Sequence, residues 1–132
     1  MLARREHSAF EIRRKLKLRD IDDAEIEQAV ERLQQEGLLS DERYAESYIH
    51  MRMGKGYGPL RIALELRERG VAESDYGHYL YDRDIDWRSV LKAACDKKFG
   101  NRRCDDYREK AKRIRYLQYR GFALDEIHEL LE

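Results

Sequence analysis

Apolar residues recur at helical spacing along the whole chain. In the first predicted helix, Ala9, Ile12 and Leu16 fall three and four residues apart, which places them on one helical face. Residues that favour helix starts, such as Ser40 and Asp86, precede later apolar segments. No segment alternates like a β-strand for more than a few residues. The pattern therefore predicts an all-α protein of about eight helices, each about 10–14 residues long.

The helical pattern repeats about every 50 residues, which is typical of an array of small modules. A leucine is followed three residues later by an arginine in each copy, at Leu16 and Arg19, Leu66 and Arg69, and Leu117 and Arg120. We predict three-helix modules at residues 1–54 and 55–100, and a third module at 101–132 that stops after its second helix. Such modules pack end to end into an elongated body.

Composition supports several small cores rather than one large core. Of the 132 residues, 42% are hydrophobic and 41% are charged, and 27 Lys and Arg balance 27 Asp and Glu. No stretch approaches the roughly 18–20 apolar residues of a membrane span, and the first residues lack the apolar run of a signal peptide. We expect a soluble, cytoplasmic protein in which Cys95 and Cys104 are reduced thiols.

The zero net charge conceals a regular alternation of basic and acidic segments. Net charges of +5, −8, +3, −4, +8 and −4 follow one another in residues 1–19, 20–46, 47–70, 71–86, 87–120 and 121–132. Random mixing of charges rarely gives so regular a series. The alternation predicts a repeated module with a basic first part and an acidic second part.

The basic helices are the candidate binding surface, because cations at a regular repeat can follow a phosphate backbone or an acidic protein groove. A connector at 55–59 (KGYGP) adds a lysine and a tyrosine, and Pro59 suits the first turn of the helix that follows. The candidate residues are Arg13, Arg14, Lys15, Lys17, Lys55, Tyr57, Arg61, Arg67, Arg102, Arg103, Lys110, Lys112, Arg113 and Arg115.

A plainer interpretation of these residues stays open. Each cation could pair with the acidic helix beside it and serve only to keep the protein in solution. Tyrosines at helical spacing are more often core residues than platforms on which bases stack. The connector could be a simple joint between modules. Only the last basic segment carries more positive charge than its neighbours can match, which favours binding there.

The sequence contains no recognisable catalytic or metal-binding constellation. Its four histidines stand alone, and no Ser-His-Asp arrangement or metal-ligand spacing accompanies them. We therefore expect a protein that is not an enzyme and that carries no cofactor or metal.

Several segments together resemble the bacterial RecX family, whose members modulate the RecA recombinase. Each is weakly specific alone, but they cover nearly the whole chain in the family's order. They are 5–8 (REHS), 11–16 (EIRRKL), 37–45 (GLLSDERYA), 55–59 (KGYGP), 86–87 (DW), 97–100 (KKFG) and 110–122. The family usually has further residues before its first repeat, whereas this chain opens at its first helix.

The resemblance implies a curved, elongated array of tandem three-helix repeats that binds in the groove of the RecA–DNA filament. It also implies inhibition of the RecA ATPase and of strand exchange, with effects on recombination, DNA repair and the SOS response, and direct contact with single- or double-stranded DNA. We expect a monomer. The alternative is an all-helical adaptor that binds a protein and does not contact nucleic acid.

Overall fold

The computed structural model describes residues 5–132, and this part of the chain holds eight α-helices and no strand. The all-α prediction is therefore confirmed. No helix in these residues combines the length and the apolar character needed to cross a membrane. The helices are α1 Ala9–Lys17, α2 Asp23–Gln35, α3 Asp41–Gly54, α4 Pro59–Glu68, α5 Glu73–Leu80, α6 Trp87–Phe99, α7 Tyr107–Tyr119 and α8 Leu124–Leu131.

Four of the helices in residues 5–132, namely α1, α3, α6 and α7, begin at a residue whose side chain caps the first turn. Ser40 and Asp86 accept hydrogen bonds from backbone N–H groups in the first turns of α3 and α6, and Pro59 occupies the first turn of α4. At α1, Ser8 and Glu11 form a capping box, in which each side chain accepts a hydrogen bond from the other residue's backbone N–H. These caps satisfy donors that a helix leaves free at its start.

Buried apolar side chains form three separate clusters in chain order. The first joins α1 to α2 around Ile12 and Val30. The second draws on α3, α4 and α5, and the fully buried ring of Tyr76 lies in it. The third draws on α6, α7 and α8 around Leu117 and Phe122. The helices α1, α4 and α7 thus occupy equivalent places, as the sequence repeat predicts.

The three clusters group the helices differently from the predicted module boundaries. Those boundaries place α3 at the end of the first module, but Ala45 and Ile49 of α3 pack with Ile62 and Leu66 of α4. In the same way α6 contributes to the core that follows it. Aligning the sequence with a shifted copy of itself gives the length of the repeat. Only side-chain packing shows which three helices share a core. The boundaries at 54 and 100 stay a prediction about the sequence repeat.

The second and third helix groups meet where the start of α4 packs against the tight turn between α7 and α8. The backbone N–H of Gly58 donates to the carbonyl of Arg120 (2.8 Å), and that of Leu60 donates to the carbonyl of Gly121 (3.0 Å). Gly121 has a φ of +103°, and a Cβ added there would lie 2.3 Å from the Cβ of Arg61. Glycine is therefore required at this turn both by backbone conformation and by close approach.

The row of small cores leaves a large surface for the protein's mass. The accessible surface is 9083 Å², whereas a compact monomer of this mass exposes about 7,400 Å². The excess agrees with an elongated array of helix groups.

Candidate functional site

The cations of α1 are largely engaged by the acidic helix beside them. The guanidinium of Arg13 donates two hydrogen bonds to the carboxylate of Glu27, at 2.8 and 3.1 Å. The ammonium of Lys17 lies 2.8 Å from Asp23, and this hydrogen bond raises the pKa of the lysine. These two side chains therefore pair with the adjacent acidic helix, as the plainer interpretation expects.

The other candidates on α1 differ from each other in exposure. Lys15 is half-buried, and its ammonium lies 3.4 Å from Nε2 of His7. His7 is itself buried, and this burial, with the nearby charges of Arg5 and Lys15, lowers the pKa of its ring. Arg14 is exposed to solvent.

Tyr57 and Arg61 belong to a joint that holds the second and third helix groups together. The guanidinium carbons of Arg52 and Arg120 lie 3.7 and 4.0 Å from the centre of the Tyr57 ring, so the protein's own cations already stack on this ring. Arg61 donates to the carboxylate of Glu65 at 3.0 Å and to the carbonyl of Tyr119 at 3.2 Å. We infer that these two candidates are structural.

Glu65 is the centre of this joint and is almost fully buried. Its carboxylate accepts hydrogen bonds from Arg52 (2.9 and 3.0 Å), Arg61 (3.0 Å) and the hydroxyl of Tyr48 (2.8 Å). Burial alone would raise the pKa of Glu65, but these hydrogen bonds outweigh it and hold the pKa below its ordinary value. Burial and the bond to Glu65 raise the pKa of Tyr48 to about 12.

A second candidate on α4, Arg67, is exposed and donates to the hydroxyl of Tyr76 at 3.1 Å. Lys55 lies at the end of α3, and its side chain is exposed. The backbone carbonyl of Lys55 accepts a 2.6 Å hydrogen bond from Arg120, which fixes the position of the connector. Lys55 is therefore the connector residue whose charge faces solvent.

Three cations of α7 form an exposed stripe. Arg108, Lys112 and Arg115 are spaced four and three residues apart, so they lie along one helical face. Within residues 5–132, none of them forms an ion pair with a carboxylate. We call this set the α7 stripe. The half-buried Lys110 lies outside it, and it too has no ion pair within the same residues.

Arg113 points the other way, into the core. Its side chain is 6% exposed, its Nε lies 3.4 Å from the carboxylate of Glu109, and it donates to the carbonyl of Arg102 at 3.1 Å. The guanidinium also lies 5.2 Å from the ring centre of Phe99. The expectation that Arg113 faces a phosphate backbone is corrected, because a side chain buried and bonded in this way is not available to a ligand.

The two arginines before α7 lie in the loop that follows α6. Arg102 and Arg103 are both exposed. Arg103 lies 3.4 Å from Asp105, but both side chains are mostly in solvent, so this pair contributes little to stability. The role that the structure gives Arg102 is through its carbonyl, which holds Arg113.

A groove of about 470 Å³ lies where the end of α3 and the connector meet α6 and α7. We call it the joint groove. Its apolar lining, which we call the floor, includes Val90, Ala93 and Ala94 of α6 and Met53 of α3. Its edges carry four cations and an aromatic ring, namely Lys55, Lys97, Lys98, Arg120 and Tyr116.

The sequence prediction missed the contribution of α6 to this surface. Lys97 and Lys98 are exposed in the last turn of α6, where they also suit the negative end of the helix dipole. Lys98 lies 5.4 Å from the ring centre of Tyr116. The adjacent lysines next to an aromatic residue were the available signal. Their closeness to Lys55 could not be predicted, because more than forty residues separate them in the chain.

A larger groove of about 1010 Å³ lies between α1 and α2. Its apolar lining includes Ile12, Leu16 and Leu33, and its rim carries both signs of charge, for example Glu25 and Arg32. It therefore lacks the uniformly basic edge of the joint groove.

Comparison with known proteins matches this chain along nearly its full length. Models of the first, second and third three-helix domains of RecX match residues 1–33, 40–76 and 86–131. A protein named Regulatory protein RecX from Pseudomonas putida strain GB-1 is 46% identical over 131 residues, which cover 99% of this chain and 84% of the relative. The protein of that name from Ectopseudomonas mendocina strain ymp is also 46% identical, over 99% of this chain and 87% of its own.

Solved structures share the fold. A crystal structure of regulatory protein RecX superposes with a TM-score of 0.80 at 24% identity, and the match covers 98% of this chain and 65% of that one. RecX from Lactobacillus salivarius superposes with a TM-score of 0.79, also at 24% identity, over 98% and 86% of the two chains. The helical repeat, the domain matches and the identity to these relatives lead to one conclusion: the chain belongs to the RecX family of regulatory proteins.

Proposed function

We propose that this protein regulates the RecA recombinase by binding the RecA–DNA filament and contacting its DNA. Family membership supports a role at RecA. The observation that most supports DNA contact is the α7 stripe. In a chain with no net charge, Arg108, Lys112 and Arg115 lie together, and the described residues supply no carboxylate partner for them.

The proposed effect is inhibition of the RecA ATPase and of strand exchange, and through them of recombination and DNA repair. An elongated monomer lying along the filament groove would contact more than one RecA subunit. Such a contact would restrain the subunit motions that couple ATP hydrolysis to strand exchange. The large surface for the mass of the protein supports this mode of binding.

The stripe suits a phosphate backbone in length and in chemistry. From residue 108 to residue 115 it extends about 10 Å along α7, at about 1.5 Å per residue, which is enough to meet successive phosphates. The exposed cations Arg14, Lys55 and Arg102 and the half-buried Lys110 would extend the interface. Arg13 and Lys17 are left outside it, because α2 neutralises them.

The first test is the ATPase of a RecA–single-stranded DNA filament, titrated with this protein well below one molecule per RecA subunit. We expect inhibition at these ratios, because each molecule would restrain several subunits. A folded sample that leaves the ATPase unchanged would contradict the proposal.

The second test separates the stripe from the remaining cations. Neutralising two stripe residues (Lys112→Gln with Arg115→Gln) should weaken single-stranded DNA binding on the order of 25-fold at 0.1 M salt. Each phosphate contact contributes a slope of about −0.7 in log K against log salt. The slope itself should become shallower by about 1.4. Fluorescence anisotropy across a salt series measures both quantities.

The matched control removes the same charge from α1. Arg13→Gln with Lys17→Gln lowers the net charge by the same amount, so a general electrostatic effect would weaken binding equally in both double variants. We expect the control to bind DNA as the unmodified protein does. Equal losses would refute the assignment of the stripe.

The adaptor alternative retains one supporting observation. The groove between α1 and α2 is larger and mainly apolar, as a protein-binding site would be. If the protein inhibits the RecA ATPase with no measurable affinity for DNA and no salt dependence, this alternative replaces DNA contact as the basis of binding.

A further inference from the structure

We propose that the joint groove receives one unstacked nucleobase of single-stranded DNA, while the lysines at its edges hold the neighbouring phosphates. The proposal rests on the proposed function, since it specifies how the same protein would hold a DNA strand. It assigns to this groove a ligand class, a nucleotide in a single strand.

The size and lining of the groove suit a flat aromatic ligand. Its volume of about 470 Å³ lies within the range of small-molecule sites. Ala93 and Ala94 present only methyl groups on the floor, and the Tyr116 ring borders it. A base stacks on aromatic and apolar surface with little regard to its identity. An apolar floor with small side chains at Ala93 and Ala94, beside a ring, is therefore what an inserted base requires.

The depth of the groove depends on a close approach between the connector and α6. A Cβ added at Gly56, where φ is +85°, would lie 3.4 Å from the Cβ of Ala94 and 3.1 Å from a terminal nitrogen of Arg120. The glycine thus lets the connector pass directly beside the floor, and Lys55 is carried to the edge of the groove.

The charges at the edge suit phosphates on either side of a base. Within residues 5–132, Lys55 and Lys97 form no ion pair, and Lys98 is engaged only by the ring of Tyr116. Arg120 adds a guanidinium whose Nε is buried and has no hydrogen-bond partner in the same residues. Cations left without carboxylates around an apolar floor are complementary to a nucleotide, which is anionic at its phosphate and flat and apolar at its base.

The groove also continues the path of the α7 stripe. Tyr116 at the edge of the groove follows Lys112 of the stripe by four residues, which is one helical turn. A strand whose phosphates lie along the stripe therefore reaches the groove without leaving α7. An acidic peptide would satisfy the lysines, but its carboxylates would leave the apolar floor without a partner.

The test compares an oligothymidylate with an abasic strand of the same length, which keeps every phosphate and lacks the bases. We expect the unmodified protein to bind the abasic strand about tenfold more weakly, because stacking of a single base accounts for a loss of that order. Ala93→Leu places a larger side chain on the floor at an exposed position. It should lower the affinity for oligothymidylate to the abasic level and leave abasic binding unchanged.

Three comparisons make the outcome decisive. Ala24→Leu makes the same change at an exposed position on α2, and it should preserve the tenfold preference. Circular dichroism and urea unfolding of each variant check that the fold is intact. The double variant Lys112→Gln with Arg115→Gln should weaken binding of both strands by the same factor, because its loss concerns phosphates alone.

The results that would overturn the proposal differ from those that would overturn the function. Equal affinity of the unmodified protein for the two strands would refute base insertion while leaving phosphate contact in place. If Ala93→Leu weakens ATPase inhibition but keeps the preference for bases, the groove holds an acidic protein segment, and base insertion is again refuted. If neither strand binds, both base insertion and DNA contact are wrong.

Discussion

The first and last helix pairs, α1–α2 and α7–α8, hold equivalent places in the repeat but handle charge in opposite ways. On α1, Arg13 and Lys17 face α2 and are neutralised there by Glu27 and Asp23. On α7 the cations of the stripe are exposed and form no ion pair with a carboxylate of residues 5–132. The cations of a basic helix are thus available to an anionic partner only where the partner helix leaves them unpaired.

Both helices of each pair contribute to the difference, because Arg13 and Lys17 of α1 correspond to the uncharged Ile114 and Gln118 of α7. The positions in α8 that correspond to Asp23 and Glu27 hold Leu124 and His128, neither of which is a carboxylate. Glu129 of α8 pairs with Arg88 of α6 rather than with α7. Glu129 is therefore paired with a neighbour that the charge alternation alone does not identify.

The turns within the two pairs also differ, and a substitution in one of them should give the largest change in stability. Asp20 and Gly121 occupy equivalent turn positions, and both have positive φ, at 58° and 103°. Gly121 lies against the backbone of Arg61, where an added Cβ would meet the nitrogen at 2.5 Å. Gly121→Ala should therefore lower the free energy of unfolding by about 3–5 kcal/mol, through overpacking and backbone strain. Urea unfolding measures this change.

The matched control is Asp20→Ala at the first turn. Asp20 is exposed, so alanine there meets no close neighbour and loses only the tolerance of aspartate for positive φ. The free energy of unfolding should therefore fall by no more than about 1–2 kcal/mol. If both alanine variants lose the same stability, close packing at the second turn contributes nothing, and the distinction between the two turns is wrong.

The next effect separates the two faces of α7. Arg113→Ala removes a buried side chain and leaves the carbonyl of Arg102 without its donor, so we expect a loss of about 2–4 kcal/mol. Arg115→Ala, on the exposed face, should change stability by less than about 0.5 kcal/mol. Thermal and urea unfolding of the two variants measure the difference. Similar losses would contradict the inward orientation of Arg113.

Much of this architecture could be predicted from the sequence, because it depends on local signals. Helix starts at Ser40, Pro59 and Asp86 follow from capping and from the fixed φ of proline. The period of the repeat follows from apolar spacing. The grouping of helices into cores could not be predicted in this way, because the apolar residues of α3 could pack against either neighbouring helix. Only the folded protein shows that they pack with α4.

The candidate site was predicted less well, because charge counts do not show which way a side chain points. Arg113 lies in a run of basic residues, and nothing in that run separates it from Arg115. Its spacing of four from Leu117 was the one sign that it shares the buried face. The joint groove depends on contacts between Lys55, Lys97 and Arg120, which are distant in the chain, so it becomes visible only in the folded protein.

A smaller effect would come from reversing the electrostatic difference between the helix pairs. Asp23→Asn with Glu27→Gln removes the carboxylates that hold Lys17 and Arg13. Each freed cation that reaches a phosphate should then strengthen single-stranded DNA binding by about fivefold at 0.1 M salt, and we expect one such contact. Anisotropy across a salt series measures the gain and the steeper slope.

The control for that gain removes two negative charges at positions whose carboxylates hold no cation. Glu42 and Glu46 are exposed on α3 and form no ion pair in the described residues, so Glu42→Gln with Glu46→Gln alters only the net charge. A gain equal to that of the α2 variant would mean that overall charge, and not release of the α1 cations, controls DNA affinity.

The last effect concerns pH and the joint that ties α3 and α4 to the end of α7. Tyr48 donates to Glu65, and its pKa is raised from an ordinary 10.0 to about 12. The folded state therefore keeps the phenol proton more tightly than the unfolded state does. Stability should be constant up to about pH 10 and fall as the pH rises toward 12, since the unfolded chain ionises first.

The same joint should respond to acid in the opposite sense. The folded state holds the pKa of Glu65 below its ordinary value of 4.5, so its contribution is complete above that pH and is lost as the pH falls below it. Urea unfolding of Tyr48→Phe and Glu65→Gln across pH measures both limits. The stability difference between the unmodified protein and Tyr48→Phe should shrink above pH 10, and that for Glu65→Gln should shrink below pH 4.5. Differences that do not change with pH would show that these side chains act through packing alone.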